Sequence, residues 1–145
     1  MLHKVVQLGG KSYFWLEKTN VVSMIQEYQV SGFRVREYEE LGSTNTETER
    51  VGWNELEDKM VILTYRQTQG RGQVGNHWES EPGKNISMTV VFKPRELPAG
   101  QQFAVSMVIA LGACDFISRY VSGCSVKWPN DIYVGDRKIS GILIE

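Results

Sequence analysis

Two cysteines in 145 residues, Cys114 and Cys124, are too few and too oddly spaced for a metal-binding pair or a disulfide framework. They read as buried free thiols, the ordinary state in a reducing cytoplasm, and the cytoplasm is the expected location. Charge of either sign is also scarce in excess. The 16 Lys and Arg nearly cancel the 17 Asp and Glu, leaving a net charge of −1. That balance argues against a nucleic-acid binder with a general basic footprint. The N-terminal stretch Met1–Gly10 has no long apolar run, so no signal peptide or membrane span is read there. Internal repeats and low-complexity segments are missing too. What remains is 41% hydrophobic and sized for one domain. A domain of that size buries roughly two-thirds of its unfolded surface.

The stretch from Tyr65 to Trp78 organises the rest. The β-branched run Val61–Tyr65 before it predicts a buried strand. Gly70, Gly72 and Gly75 then arrive together. Glycines let a backbone approach a ligand closely, and successive N–H groups in such a loop form a nest for an anion. Arg71, between two of them, adds a fork for carboxylate or phosphate. The Gly-x-Gly-x-x-Gly spacing matches a dinucleotide fingerprint, but that motif must open a helix. Here Asn76–Gly83 reads as irregular chain and a turn, followed by a second strand, Ile86–Phe92. A kinase-type loop is excluded because no His-Arg-Asp or Asp-Phe-Gly segment follows. An unliganded Gly-rich surface loop is the competing reading.

Two further motifs accompany the loop. Ser43-Thr44-Asn45 lies upstream. Lys127-Trp128-Pro129-Asn130-Asp131-Ile132 lies downstream, followed by Arg137-Lys138-Ile139-Ser140-Gly141-Ile142-Leu143-Ile144-Glu145. Together with Gln67-Thr-Gln-Gly-Arg-Gly-x-x-Gly and Trp78, they resemble the signatures of the biotin protein ligases over about Phe33 to Glu145. The resemblance implies an α+β catalytic domain of the biotin/lipoate ligase and class II synthetase type, a mixed and largely antiparallel sheet with helices packed on it. It implies ATP-dependent activation of biotin, assisted by Mg²⁺, and transfer to a lysine of a biotin carboxyl carrier protein. Lys138 and Arg71 are the implied catalytic residues. Ser43, Thr44, Asn45, Gln67, Arg71, Gly72, Gln73 and Lys138 are the implied biotin-binding set. Gly70, Gly75, Trp78, Asn130 and Asp131 are implied around the nucleotide, with no metal ligands assigned. Two positions depart from the family pattern: Gln73 and Asn76 stand where arginine is common. Two alternatives stand beside this reading: a module that binds biotin or nucleotide without turnover, and a lipoate-ligase-like enzyme.

Along the chain, residues 1–32 are expected to be an extension and residues 33–145 part of the catalytic domain. Val21, Val22, Ile25 and Tyr28 fit one face of a short helix over Asn20–Tyr28. A poorly ordered leader, with Met24 as an alternative start, is the other reading. The leader is too short for a helix-turn-helix, so no DNA-binding domain is expected. Phe33–Tyr38 alternates as a strand should. Ser43 or Thr44 is placed to cap a short helix from about Asn45 to Leu56, with Glu47 completing a capping box. Gln101–Val121 is apolar around most of its circumference, which predicts a helix buried against a sheet, with Met107 and Cys114 in the core. Pro129 should break strand pairing after Trp128. Gly135-Asp136 should turn Ile132–Val134 back onto Lys138–Glu145, which brings Lys138 near Asn130 and Asp131. In the family the sheet continues beyond the position of Glu145. A fragment, a truncated product, or a homodimer that completes the sheet by self-association is therefore expected.

Overall fold

The computed structural model describes residues 5–8, 11–14, 24–94 and 97–145. The strands are β1 Val5–Leu8, β2 Lys11–Phe14, β3 Met24–Val30, β4 Phe33–Tyr38, β5 Met60–Thr64, β6 Gly70–Arg71, β7 His77–Trp78, β8 Ser87–Val91, β9 Cys124–Lys127, β10 Asp131–Val134 and β11 Arg137–Gly141. Among the described residues the α-helices are α1 Thr44–Val51 and α2 Gln102–Ser118. The main sheet runs β3-β4-β5-β8, and a smaller one runs β11-β10-β9. β1 pairs with β2 and β6 with β7, each as a separate antiparallel ribbon. Among the described strands only the β4–β5 pair is parallel, with α1 in the crossover between them. The architecture is the α+β, mixed and largely antiparallel one expected.

The main sheet is held by alternation. Met60, Ile62 and Thr64 of β5 are fully buried on one face. They meet Tyr38, Leu41, Leu56 and Val91, with Val51 of α1 packed against them. Burying a side chain such as Met60 or Ile62 contributes about 1.5–3 kcal/mol. α1 ends at Val51 because Gly52 takes φ 85° there. It is shorter than the expected reach to Leu56. The expected capping box does not form. Ser43 caps through its carbonyl, which accepts the Glu47 N–H at 3.0 Å. The buried Glu47 carboxylate instead accepts from Arg50 at 2.7 and 2.8 Å, a pairing that suits a carboxylate with little access to water.

Three other expectations need correction. The helix over Asn20–Tyr28 is not formed from Met24 onward: Met24–Val30 is a strand, antiparallel to β4. Its first residues, Asn20–Ser23, lie outside the described residues. Sheet pairing therefore begins ahead of the expected domain start at Phe33. Ser31 and Gly32, with φ 49° and 81°, make the two-residue turn that closes this hairpin. Such turns need positive φ at both central positions, and Ser-Gly was the signal for it. Second, His77–Trp78 is a short strand and not irregular chain, although the turn near Gly83 is present. Third, α2 packs against a sheet as expected, on β9 and β10 of the smaller one, but it is not buried there. Only Ser106 and Ala110 are buried, because their small side chains let the helix approach the strands. Phe103, Val108, Leu111 and Phe116 point outward and are at least half exposed. Met107, Cys114 and Cys124 are half-buried, and the two thiols are free and 3.1 Å apart. Among the described residues, no helix is long and apolar enough to cross a membrane.

Candidate functional site

The loops after β4 and β5 are stitched together by backbone. Leu41 N donates to Arg66 O at 3.0 Å, Thr68 N to Leu41 O at 2.9 Å and Gln69 N to Gly42 O at 2.6 Å. This fixes Gln67 beside the start of α1. Gln67 Oε1 accepts from Thr44 N at 3.0 Å and lies 3.3 Å from Thr44 Oγ1. With its oxygen so engaged, Gln67 has its Nε2 donors left for another partner. Ser43 and Thr44 are both buried, so any polar group brought against them must match them.

Gly70 pairs with Trp78 and Arg71 with His77. A Cβ on Gly70 would lie 2.4 Å from Trp78 O and 2.6 Å from Gln67 Nε2, so this position admits only glycine. Gly72 N donates to Asn76 O at 2.7 Å across the tight Gln73–Gly75 turn, where Gly75 has φ 76°. That N–H is therefore used inside the loop and does not join an anion nest. Gln73 stands exposed at the loop tip, as does Asn76. Beside the ribbon lies a cleft of about 290 Å³, lined by Gln67–Gly70 and His77–Ser80.

Arg71 reaches back from the ribbon to two carboxylates, Glu49 of α1 at 2.9 Å and Glu145 at 2.5 Å. The hydrogen bonds with Glu49 and then Glu145 raise its pKa above the usual arginine value, so it remains a fixed cation. Its Nε is buried and has no hydrogen-bond partner among the described residues. A buried donor left in this way suits an additional anionic or carbonyl oxygen.

The second cation comes from the hairpin β10–β11. A register shift between Ile132 and Tyr133 sets Lys138 opposite Tyr133. Lys138 Nζ is 2.7 Å from Asp131 Oδ1 and 5.0 Å above the Trp78 ring. The expected closeness of Lys138 to the Asn130–Asp131 end is thus observed. Trp78 joins the glycine ribbon to β11, because its ring edge lies where a Cβ on Gly141 would be, 2.8 Å away. Asn130 is buried, and its Nδ2 donates to Ile142 O at 2.6 Å while its own carbonyl accepts from Ile142 N at 2.9 Å. Its side chain is thereby engaged in holding the segment after β11. Pairing does stop at Lys127, before Trp128-Pro129.

Glu145 closes the arrangement: the oxygen that binds Arg71 also accepts from Asn45 Nδ2 at 2.7 Å. The three motifs, far apart in sequence, thus form one continuous polar network. Three residues in it, Glu49, Thr89 and Glu145, and Gly141 beside Trp78, had no role assigned from sequence. The role of Thr89 shows only in the fold. In β8, polar Ser87 and Thr89 alternate with apolar Met88 and Val90, yet Ser87 is buried and Met88 is 60% exposed. Polar residues on the inward face of a strand mark a hydrogen-bonding demand. No group of three or more His, Cys, Asp or Glu is gathered for a metal among the described residues.

Comparison with known proteins agrees with this geometry. The chain is 31% identical over 144 residues to the bifunctional ligase/repressor BirA of Escherichia coli, covering 97% of this chain and 44% of that protein. It is 30% identical over 105 residues to the biotin–[acetyl-CoA-carboxylase] ligase of Paracoccus denitrificans, covering 71% of this chain and 43% of that one. The chain thus spans less than half the length of these curated relatives. Its fold is similar to the crystal structure of Helicobacter pylori biotin acetyl coenzyme A carboxylase synthetase with bound biotinylated ATP. That match has a TM-score of 0.61 and 29% identity, and covers 77% of this chain and 54% of that one. The family model of the biotin/lipoate A/B protein ligases matches residues 38–145, which hold all three motifs and both cations, and the chain belongs to that family.

Proposed function

We propose that this chain carries the biotin- and ATP-binding site of a biotin–protein ligase. The observation that carries the reading is one juxtaposition. A buried neutral cluster, Thr44 with Gln67, is joined through Thr89, Asn45 and Glu145 to the half-exposed cation Arg71, and a second half-exposed cation, Lys138, lies over the ring of Trp78 on the same ribbon. Biotin has matching parts: a neutral ureido ring that needs both donors and acceptors, and a carboxylate. The ring belongs against Ser43, Thr44, Asn45 and Gln67. The carboxylate belongs near Arg71 and Gly72, facing Lys138. Trp78 offers a flat face to adenine, near Asn130, and Gly70 and Gly75 shape the loop over the phosphates.

In the first step, a carboxylate oxygen of biotin attacks the α-phosphorus of ATP. A C–O–P linkage forms, the bond to the β-phosphate breaks and pyrophosphate leaves. Two anions must approach, so fixed positive charge lowers the barrier. Lys138 can move from Asp131 to the reacting oxygens because a half-exposed pair is weakly held. Arg71, held by Glu49 and Glu145 before a ligand enters, has its unpartnered Nε as a donor for an additional oxygen. Mg²⁺ characteristically sits on one or two carboxylates plus substrate phosphates, where it offsets phosphate charge. Asp131, beside Lys138 and only partly buried, is the carboxylate that fits such a role. In the second step, the amine of an acceptor lysine attacks the acyl carbon, an amide forms and AMP leaves. The acceptor is a biotin carboxyl carrier protein, and the setting is the cytoplasm.

The test measures pyrophosphate release from Mg²⁺-ATP with biotin, with lipoic acid and with neither, followed by transfer to a purified carrier domain. Release that requires biotin is the expected result. Release driven by lipoic acid would replace the reading with lipoate ligation. Biotin binding without release would reduce it to a binding module.

A further inference from the structure

Thr89 sits in the middle of β8, half-buried, with its side chain toward the start of α1. It belongs to none of the three motifs. Its hydroxyl touches two members of Ser43-Thr44-Asn45 at once: Thr44 Oγ1 at 2.9 Å, and Asn45 Oδ1 in a closer contact.

Proton counting fixes the direction of each bond. Asn45 Nδ2 donates to Glu145, which turns Asn45 Oδ1 toward Thr89. An amide oxygen only accepts, so the single Thr89 proton goes to Asn45. Thr89 Oγ1 can then only accept from Thr44. The other neighbour of Thr44 Oγ1 is Gln67 Oε1, again an acceptor-only atom, at 3.3 Å. Whichever of the two it serves, the Thr44 proton is used inside the protein. Thr44 is left to meet a ligand as an acceptor. Gln67, its oxygen held by Thr44 N, is left to meet it as a donor.

We infer that Thr89 is a positioning residue that sets the hydrogen-bond polarity of the site, so that Thr44 accepts from a ligand N–H while Gln67 donates to a ligand carbonyl. A cyclic urea presents both groups side by side. The inference rests on the reading that the neutral cluster holds the ureido ring of biotin. Without Thr89, the Asn45 amide is held from its Nδ2 side alone, and the Thr44 proton loses its 2.9 Å partner and keeps only the longer 3.3 Å contact to Gln67 Oε1, so it turns outward against an N–H more readily.

Calorimetry on the whole chain tests this, with biotin and ATP titrated separately. Thr89→Val keeps the β-branch and removes the hydroxyl. It should weaken biotin by about tenfold, with ATP affinity and melting temperature little changed. Thr89→Ser, which restores the hydroxyl, should recover most of the loss. Thr89→Ala removes the hydroxyl without adding atoms and gives the same comparison where the valine does not fold. Biotin affinity equal to wild type in both hydroxyl-free variants overturns the role of Thr89 and leaves the functional reading intact. Loss that Thr89→Ser does not recover, or that extends equally to ATP, also overturns it by marking a packing effect. A wild-type chain that does not bind biotin removes the functional reading and this inference with it.

Discussion

The two ends of the site are built on opposite principles. At the neutral end, Ser43 and Thr44 keep only 5% and 4% of their surface, and the partners are amides and hydroxyls. At the charged end, Arg71 and Lys138 each keep 36% of their side-chain surface and rest on carboxylates. Buried neutral groups cannot turn to water for a substitute, so a mismatched ligand leaves one unpaired at a cost of about 1–3 kcal/mol. Half-exposed ion pairs contribute little and exchange partners freely. The neutral end is therefore suited to choosing the ligand. The charged end is suited to changing partners during the reaction.

The largest expected effect separates the ends by kinetics. Lys138→Ala should slow pyrophosphate release by about 10²-fold, the lower end of what losing one donor to a developing charge costs, because Lys138 must first leave Asp131. Biotin affinity should fall far less, because the contact strengthens in the transition state. Equal losses in rate and affinity would mean that Lys138 acts in ground-state binding, and the charged end would then choose the ligand too.

Gln67→Ala should show the converse, weakening biotin by about 1–3 kcal/mol with little change in the rate from the bound state. It removes the acceptor of the Thr44 N–H as well as the outward donors. Unchanged biotin affinity by calorimetry would remove Gln67 from the neutral end.

Gly141→Ala tests the junction between the ends. Its Cβ would press the Trp78 ring edge at 2.8 Å and Lys138 Cε at 3.3 Å. Overpacking of this kind costs about 1 kcal/mol or more in a well-packed core, and Trp78 is only half-buried, so the lower figure applies. The melting temperature should fall by a few degrees and ATP binding should weaken more than biotin binding. Equal weakening of both ligands would show that the ends move as one body.

The sequence disclosed these regions unequally, and for physical reasons. β4 was read to the residue because Phe33–Tyr38 alternates and is bounded by glycine and polar residues. The β10–β11 hairpin was legible from Gly135-Asp136, and with it the meeting of Lys138 and Asp131, but its second strand ends at Gly141 and does not reach Glu145, because the last residues are drawn off to Asn130 and Arg71. β3 was misread because Ile25 and Tyr28 fit a helical spacing as well as a strand, and only pairing with β4 decides between them. α2 was read correctly as a helix but wrongly as enclosed, since composition does not say that Ser106 and Ala110 make the contact face. Within the network, Thr44, Asn45, Gln67, Arg71 and Glu145 all lie in motifs that the sequence displays. Thr89 and Glu49 carry no motif, and their roles come from atoms that only the folded chain brings within reach.

The smallest effect should come from Glu49→Gln. Glu49 lies on the outer side of α1 with 60% of its side chain exposed, and it shares Arg71 with Glu145. Exposed pairs are worth about 0.2–1 kcal/mol, and here the second carboxylate continues to hold the guanidinium. Removing the charge also removes a competitor for Arg71, so an anionic ligand should gain slightly. The two effects oppose each other, and pyrophosphate release should change by no more than about twofold near 0.15 M salt. At low ionic strength, where screening weakens, any gain in anion binding should become larger. The measurement is the rate against biotin concentration at two salt levels for wild type and Glu49→Gln. A loss of tenfold or more at either level would show that Glu49 orients Arg71 for the reaction. The charged end would then be as preorganised as the neutral one, and its freedom to exchange partners would rest on Lys138 alone.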